Sequence, residues 1–252
     1  IADDTTITDI RERSLTIGDN AFKECENLGS VDFGNQVIEI GKSAFEGDKK
    51  LVAVMLPDSV KTLGEAAFKN CAAMSTLALS NSLEVIEKSS FEDCKALTSV
   101  KLPHGMTEVG EAAFKNCGKM KSLIFTPWLV TIGNYAFQAC KELTTVEFHV
   151  GLKTIGAYAF ADCSKLKGEE DLVLRLPESV TSVGEGAFSK SDIEGFTVLK
   201  GTLGDSVFEG CKNLTSVQLG DGVTAIGEKA FADTNLQQPF DLPVDLRKVS
   251  KE

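Results

Sequence analysis

The chain has 252 residues, 42% of them apolar, and carries 37 acidic against 26 basic side chains for a net charge of -11. That length and apolar share suit a folded molecule with a large core, while the acidic balance excludes a nucleic-acid or anionic-membrane partner, which would need a positive surface field. The longest uncharged apolar stretches are a handful of residues, far short of the roughly 20 that span a bilayer, so no membrane insertion is expected.

Internal repetition organises nearly the whole chain. The octapeptide GEAAFKNC stands at 64–71 and again at 110–117, and its phenylalanine sets a register of Phe22, Phe45, Phe68, Phe91, Phe114, Phe137, Phe160, Phe188, Phe208 and Phe231. Six successive spacings of 23 are followed by 28, 20 and 23. Within the unit that starts at Phe91, Cys94 and Leu97 come first, and LTSVKL (97–102) follows with Val100 and Leu102 in the period-2 pattern of a short strand with one buried face. Pro103 stops the ladder, and an apolar residue at every third position then predicts a tight, 3₁₀-like coil through Met106 and Val109. Gly110, four residues before the next phenylalanine, fits a turn that needs positive φ or close backbone approach. Glu87 alone departs from glycine in that column, so a variant turn is expected there. One such unit has no second side to its core, and stacking the units closes it.

Later units break the period. The Phe160 unit has five extra residues centred on KGEED at 167–171, and the next is three residues short and lacks its Pro-x-x-Val segment. A loop beside a pinched coil should bend or untwist the stack, and inserted loops in solenoids often sit on a binding edge. After Phe231 the frame runs through Leu242, Pro243, Leu246 and Val249 and stops without its Gly-x-x-Ala-Phe. That end reads as a cut inside a longer array or as a cap, and a start at Ile1 rather than methionine reads as a removed leader or an excerpt. The expected organisation is a single domain over 1–252, of about ten 23-residue repeats, irregular at 167–203.

LTSVKLPHGMTEVGEAAFKNC (97–117) and LTSVQLGDGVTAIGEKAF (214–231) resemble the BspA-like, or Treponema-type, leucine-rich repeats, and the resemblance covers about residues 7–249. It implies a right-handed repeat solenoid, mostly β, with a parallel sheet on the concave face and short 3₁₀ or helical turns on the convex side. It also implies a surface or secreted molecule that binds proteins of a host matrix or a neighbouring cell. The asparagine ladder of commoner leucine-rich repeats is absent, and cysteine holds that inward position, as in the family.

Cys25, Cys71, Cys94, Cys117, Cys140, Cys163 and Cys211 each follow a register phenylalanine by three residues, and Asp48, Ser191 and Thr234 take the place in the other units. An odd number, one per coil and all pointing alike, is a poor disulfide design, and no nearby histidine or C-x-x-C offers a zinc site. Small buried residues packing between coils are expected instead, with a backbone hydrogen bond at that position.

No catalytic residue, cofactor site or metal site emerges. His104 and His149 lie on turn positions without an orienting partner, and GKS at 41–43 lacks the glycine that a phosphate loop needs at Gln36. Recognition should use strand residues that the repeat leaves free. The column that varies most is Asp32, Met55, Ala78, Lys101, Ile124, Glu147, Arg175, Thr197, Gln218 and Asp241, and from it Met55, Lys101, Ile124, Glu147, Arg175 and Gln218 are candidate binding residues. Trp128 joins them as a large aromatic at a position held elsewhere by serine or glycine, either folded over its neighbours or an exposed anchor. Tyr135 and Tyr158, in adjacent coils, read as a stacked surface pair on the convex side. Two functional readings follow: an adhesion or interaction module at the cell surface or outside the cell, or a rigid spacer displaying another domain.

Overall fold

The computed structural model describes residues 14–168, 172–237 and 242–249, and it is a parallel β-solenoid of coils that each carry one register phenylalanine. The ten phenylalanine rings form one continuous stack, with neighbouring centroids 5.0–5.8 Å apart and planes within 10° of parallel. The 23-residue period thus places an identical side chain on an identical side chain, once per coil. Leu51, Leu97, Leu143 and their equivalents fill the space beside the stack, and Phe33, Phe125 and Phe148 meet it edge-on. Phe22 in the first described coil is substantially exposed, whereas Phe45 through Phe208 are fully buried.

Two parallel ladders run along the stack. The first uses the anticipated short strands, among them Ala53–Met55, Thr76–Ala78, Ser122–Ile124, Thr145–Glu147 and Val173–Arg175. The second uses residues assigned above to a 3₁₀-like coil: Thr62–Leu63, Val85–Ile86, Glu108–Val109, Thr131–Ile132, Thr154–Ile155 and Ser182–Val183 pair coil to coil. Two extended residues suffice once a neighbour 23 residues away offers a matching edge, so a pattern too short to announce a strand becomes one by stacking. The second ladder is also the more continuous. The first is interrupted, with Ser99 and Ser122 joined only by an isolated bridge.

The side that carries the octapeptide is built of turns, and no described residue is helical. In the Phe45 coil, Ala44 N–H donates to Gly41 O and Asp48 N–H to Phe45 O, with Ser43 and Gly47 at positive φ in the third place of each turn, as a type II turn requires. The same two positions, two before and two after phenylalanine, have positive φ in all ten coils. The conserved-looking glycine of the repeat is not one of them. Its role is close approach: a Cβ at Gly41, Gly64, Gly110, Gly133, Gly156, Gly184, Gly204 or Gly227 would come within 2.4–2.7 Å of the preceding coil. The N–H of each of these eight glycines donates to a carbonyl of that coil at 2.7–2.9 Å.

Glu87 tests that explanation. Where it replaces the glycine, no hydrogen bond joins its N–H to Leu63 of the preceding coil, and the second ladder stops between Thr62–Leu63 and Val85–Ile86. A surface cleft of about 580 Å³, lined by Lys61, Leu63, Ser82, Glu84 and Glu87, lies at the break. The turn corner stays closed beside it, with Ala66 N–H on Lys88 O at 2.8 Å and Phe68 N–H on Ser90 O at 2.9 Å. The variant turn expected here is therefore an open seam in one ladder.

The irregular segment 167–203 has a definite form within the described residues. Gly168 lies against the backbone of Leu172 and Val173, where a Cβ would stand 2.2 Å from the nearest atom. Glu169, Glu170 and Asp171 lie outside the described residues. In the short unit the turn between the ladders is gone, and a single strand, Gly195–Leu203, serves both. The next coil follows suit with Ser216–Ile226, and two register shifts absorb the mismatch.

Candidate binding face

Alternation along each short strand turns one column inward and the two flanking columns outward. Leu123 and Val146 are buried, while Ser122, Ile124, Thr145 and Glu147 face solvent. Direct pairing places Ile124 beside Glu147, and Met55 beside Ala78. Met55 and Ile124 are 59% and 63% exposed, which is unusual for such side chains within a sheet. Lys101 precedes Ile124 by one coil, and among the described residues it has no ion-pair partner.

The insertion divides this column. Val173–Arg175 pairs with Gly195–Leu203 and not with Thr145–Glu147, so Arg175 and Gln218 belong to a second stretch, reached through Thr197. Met55 lies two coils before Lys101, across the weak joint between Thr76–Ala78 and Ser99. Of the seven candidate residues, the structure gathers four in adjacent coils: Lys101, Ile124, Glu147 and, at the turn edge, Trp128. Asp241, of the same column, lies outside the described residues.

Trp128 is folded against a neighbour and still partly exposed. Its ring lies against His104, with centroids 3.9 Å apart, yet half of the residue remains exposed. The turn of the next coil stacks closely on it, because Gly151 has no Cβ to strike Pro127 O, and this leaves Val150 77% exposed beside it. Apolar surface therefore runs from Ile124 over Pro127 to the edge.

Two grooves flank Ile124. One, of about 370 Å³, is lined by Ser99, Lys101, Ile124, Thr126 and Pro127. The other, of about 730 Å³, is lined by Ile124, Thr145, Glu147, Lys167 and Leu172. Lys167 is held above its usual pKa by its hydrogen bond to Glu194 at 3.1 Å and by the charge of Asp192 at 3.5 Å. Its ammonium is thus engaged by its own chain. Sequence reasoning missed Leu172 and Pro127: the former adjoins the insertion, whose path no periodicity foretells, and the latter stands one residue after the place where Pro57 and Pro103 recur, outside the pattern of the repeat.

The cysteines stand apart from this face. Cys71, Cys94, Cys117, Cys140, Cys163 and Cys211 are buried, and each thiol donates to a phenylalanine carbonyl of the preceding coil at 3.1–3.4 Å. Burial pushes the Cys71 and Cys140 thiols up to about 12, far from the range of a nucleophile. Tyr135 and Tyr158 stack at 5.4 Å on the turn side, and the Tyr158 hydroxyl donates to Glu185. Among the described residues no group of His, Cys, Asp and Glu could share a metal ion, and no helix is long and apolar enough to cross a membrane.

The fold is shared with solved structures. The chain is 30% identical to a Treponema pallidum leucine-rich repeat protein over 64% of its length and 76% of that chain, with a TM-score of 0.58. A Bacteroides ovatus leucine-rich repeat protein aligns over 92% of this chain and 82% of its own at 23% identity and TM-score 0.54. One from Eubacterium ventriosum aligns over 93% and 83% at 16% identity and TM-score 0.52. No curated protein sequence matches the chain. Residues 15–143 and 130–252 match the BspA type leucine rich repeat region in six copies. With that match over nearly its whole length, and with glycine, phenylalanine and cysteine in the structural places just described, the chain belongs to the BspA type leucine-rich repeat family.

Proposed function

We propose that this chain is a non-enzymatic protein-binding module of a secreted or cell-surface protein, and that it engages host-matrix or neighbouring-cell proteins through the outer face of its first ladder. The observation that carries this reading is the exposure of Ile124 and Trp128, with Met55 further along the same column, next to two apolar grooves on an otherwise acidic molecule. Aromatic and aliphatic side chains left exposed in a cluster are the usual anchors of an interface. The face is preformed by the coil stack, so little ordering cost opposes association. Membership of a leucine-rich repeat family supports protein binding in general, and the surface location follows the family resemblance.

The test is binding of the intact chain to a panel of purified extracellular-matrix proteins. Saturable binding that weakens about tenfold or more in Trp128→Ala and in Lys101→Glu is expected. Failure to saturate with every panel member favours a spacer rod. Equal binding by wild type and both variants would place the interface elsewhere.

A further inference from the structure

We propose that the Lys101–Ile124–Glu147 stretch takes an amphipathic α-helix of a partner protein, laid along the solenoid axis with its apolar residues on either side of Ile124; this rests on the binding face proposed above. Dimensions support it first. The strands of this face are three residues long, about 10 Å across, which is the width of a helix. Successive coils are about 4.8 Å apart, against about 4.5 Å for three residues of a helix. Lys101 and Glu147 are two coils apart, about 9.6 Å, against about 10.5 Å for seven helical residues. A helix can therefore stay in step with this face, whereas an extended strand, advancing about 6.6 Å for each pair of residues on one side, drifts out of step.

The chemistry of the row then selects the helix. Ile124 is a ridge between the two grooves, and both are lined on its flanks by apolar groups, Pro127 on one side and Leu172 on the other. Two apolar side chains one helical turn apart would straddle it, in the knob-and-groove manner of helix recognition. Among the described residues Lys101, at one end, has no ion-pair partner, and Glu147, at the other, has His149 alone as such a contact, at 3.7 Å. The other cation of the second groove, Lys167, is occupied by Asp192 and Glu194. Charge complementarity therefore asks for an acidic residue at the Lys101 end of the helix and a basic one at the Glu147 end, seven positions apart, with apolar residues between. This polarity sets the direction in which the helix lies, because a reversed helix meets like charge at both ends.

The intact chain, immobilised, would be offered two displayed libraries: one with a randomised face on a small three-helix scaffold, the other of unstructured dodecapeptides. Expected are saturable binders from the helical library with an acidic, apolar, apolar, basic face, which lose about tenfold or more in affinity on Ile124→Asp. The variant Lys101→Glu, which leaves acidic side chains at both ends of the row, should select instead a face that is basic at both ends. All these positions are exposed, so an unchanged circular dichroism spectrum is expected for each variant. Winners drawn only from the unstructured library, or helical winners indifferent to Ile124→Asp and to Lys101→Glu, would overturn the helix while leaving a binding face elsewhere in place. Saturable binders from neither library would overturn the binding-face reading itself.

Discussion

A thiol three residues after seven of the ten register phenylalanines looks like repeated chemistry, yet its environment makes it a packing group. Each of the six buried cysteines fills a small space and hands a weak hydrogen bond to the coil before it. Cys25 alone is exposed. Thiol titration of the folded protein near pH 8 should accordingly find one fast-reacting cysteine of the seven, and the remaining six only after denaturation. Rapid labelling of several would refute the spine. Asp48, in the same column, is the exception with a cost. One carboxylate oxygen accepts the Cys25 N–H at 2.7 Å, while the other is buried without a partner. Burial outweighs that hydrogen bond and pushes its pKa up to about 6. The unfolded chain titrates this group near 3.9, so between about pH 6 and pH 4 the folded protein holds a proton that the unfolded one has released. Stability from this group thus rises as pH falls through that window, and is lower above it. Urea midpoints at pH 7.5 and pH 5 should differ for the wild type in that direction, and the difference should shrink in Asp48→Ser, which also gains stability at pH 7.5.

At the scale of the element, close approach between coils decides which substitutions the repeat tolerates. A Cβ at Gly133 would lie 2.7 Å from the backbone of both Gly110 and Glu111. Gly133→Ala should therefore cost about 1–3 kcal/mol, as overpacking against rigid atoms does, and denaturant midpoints would measure it. Glu87→Gly should act the other way. It removes the side chain that keeps the second ladder open and lets the hydrogen bond to the preceding coil form, so melting temperature should rise and the amide at position 87 should gain exchange protection. A Glu87→Gly protein no more stable than wild type would mean that the seam has another cause. These elements were only partly legible in the sequence. The first strands announce themselves by alternation, as in LTSVKL, but the two-residue strands of the second ladder have no local pattern long enough to see. Of the two roles expected for the repeat glycine, positive φ or close backbone approach, the second is the one it has, and positive φ lies two residues either side of phenylalanine, at Ala112, Tyr135 and Asn116 among others. Only scattered asparagine, aspartate and glycine residues in those two columns hinted at it, because tertiary hydrogen bonds hold residues of every kind in that conformation.

For the whole molecule, a core made of one ring per coil means that stability is shared between neighbours only. Phe114 is fully buried and stacked between Phe91 and Phe137 at 5.2 and 5.5 Å. Phe114→Ala should cost about 3–5 kcal/mol, and hydrogen exchange should place the loss in those adjacent coils, with the Phe188 and Phe208 coils little changed. Uniform loss of protection along the chain would contradict a nearest-neighbour solenoid. Inter-coil ion pairs such as Lys42–Glu65 and Lys165–Glu142 recur along the exposed turn side; in that setting each contributes little. The sequence by itself determined the solenoid, its register, the inward phenylalanine and cysteine, and the set of residues free to recognise something, because a period of 23 repeated in frame admits one way of closing the core. Only the tertiary structure decided that a second ladder exists, that Glu87 opens it, and that the insertion splits the outward column so that Lys101, Ile124, Glu147 and Trp128 share one face apart from Arg175 and Gln218. Those features depend on contacts between residues about 23 apart, where the fit of one backbone against the next, and not any local pattern, sets the outcome.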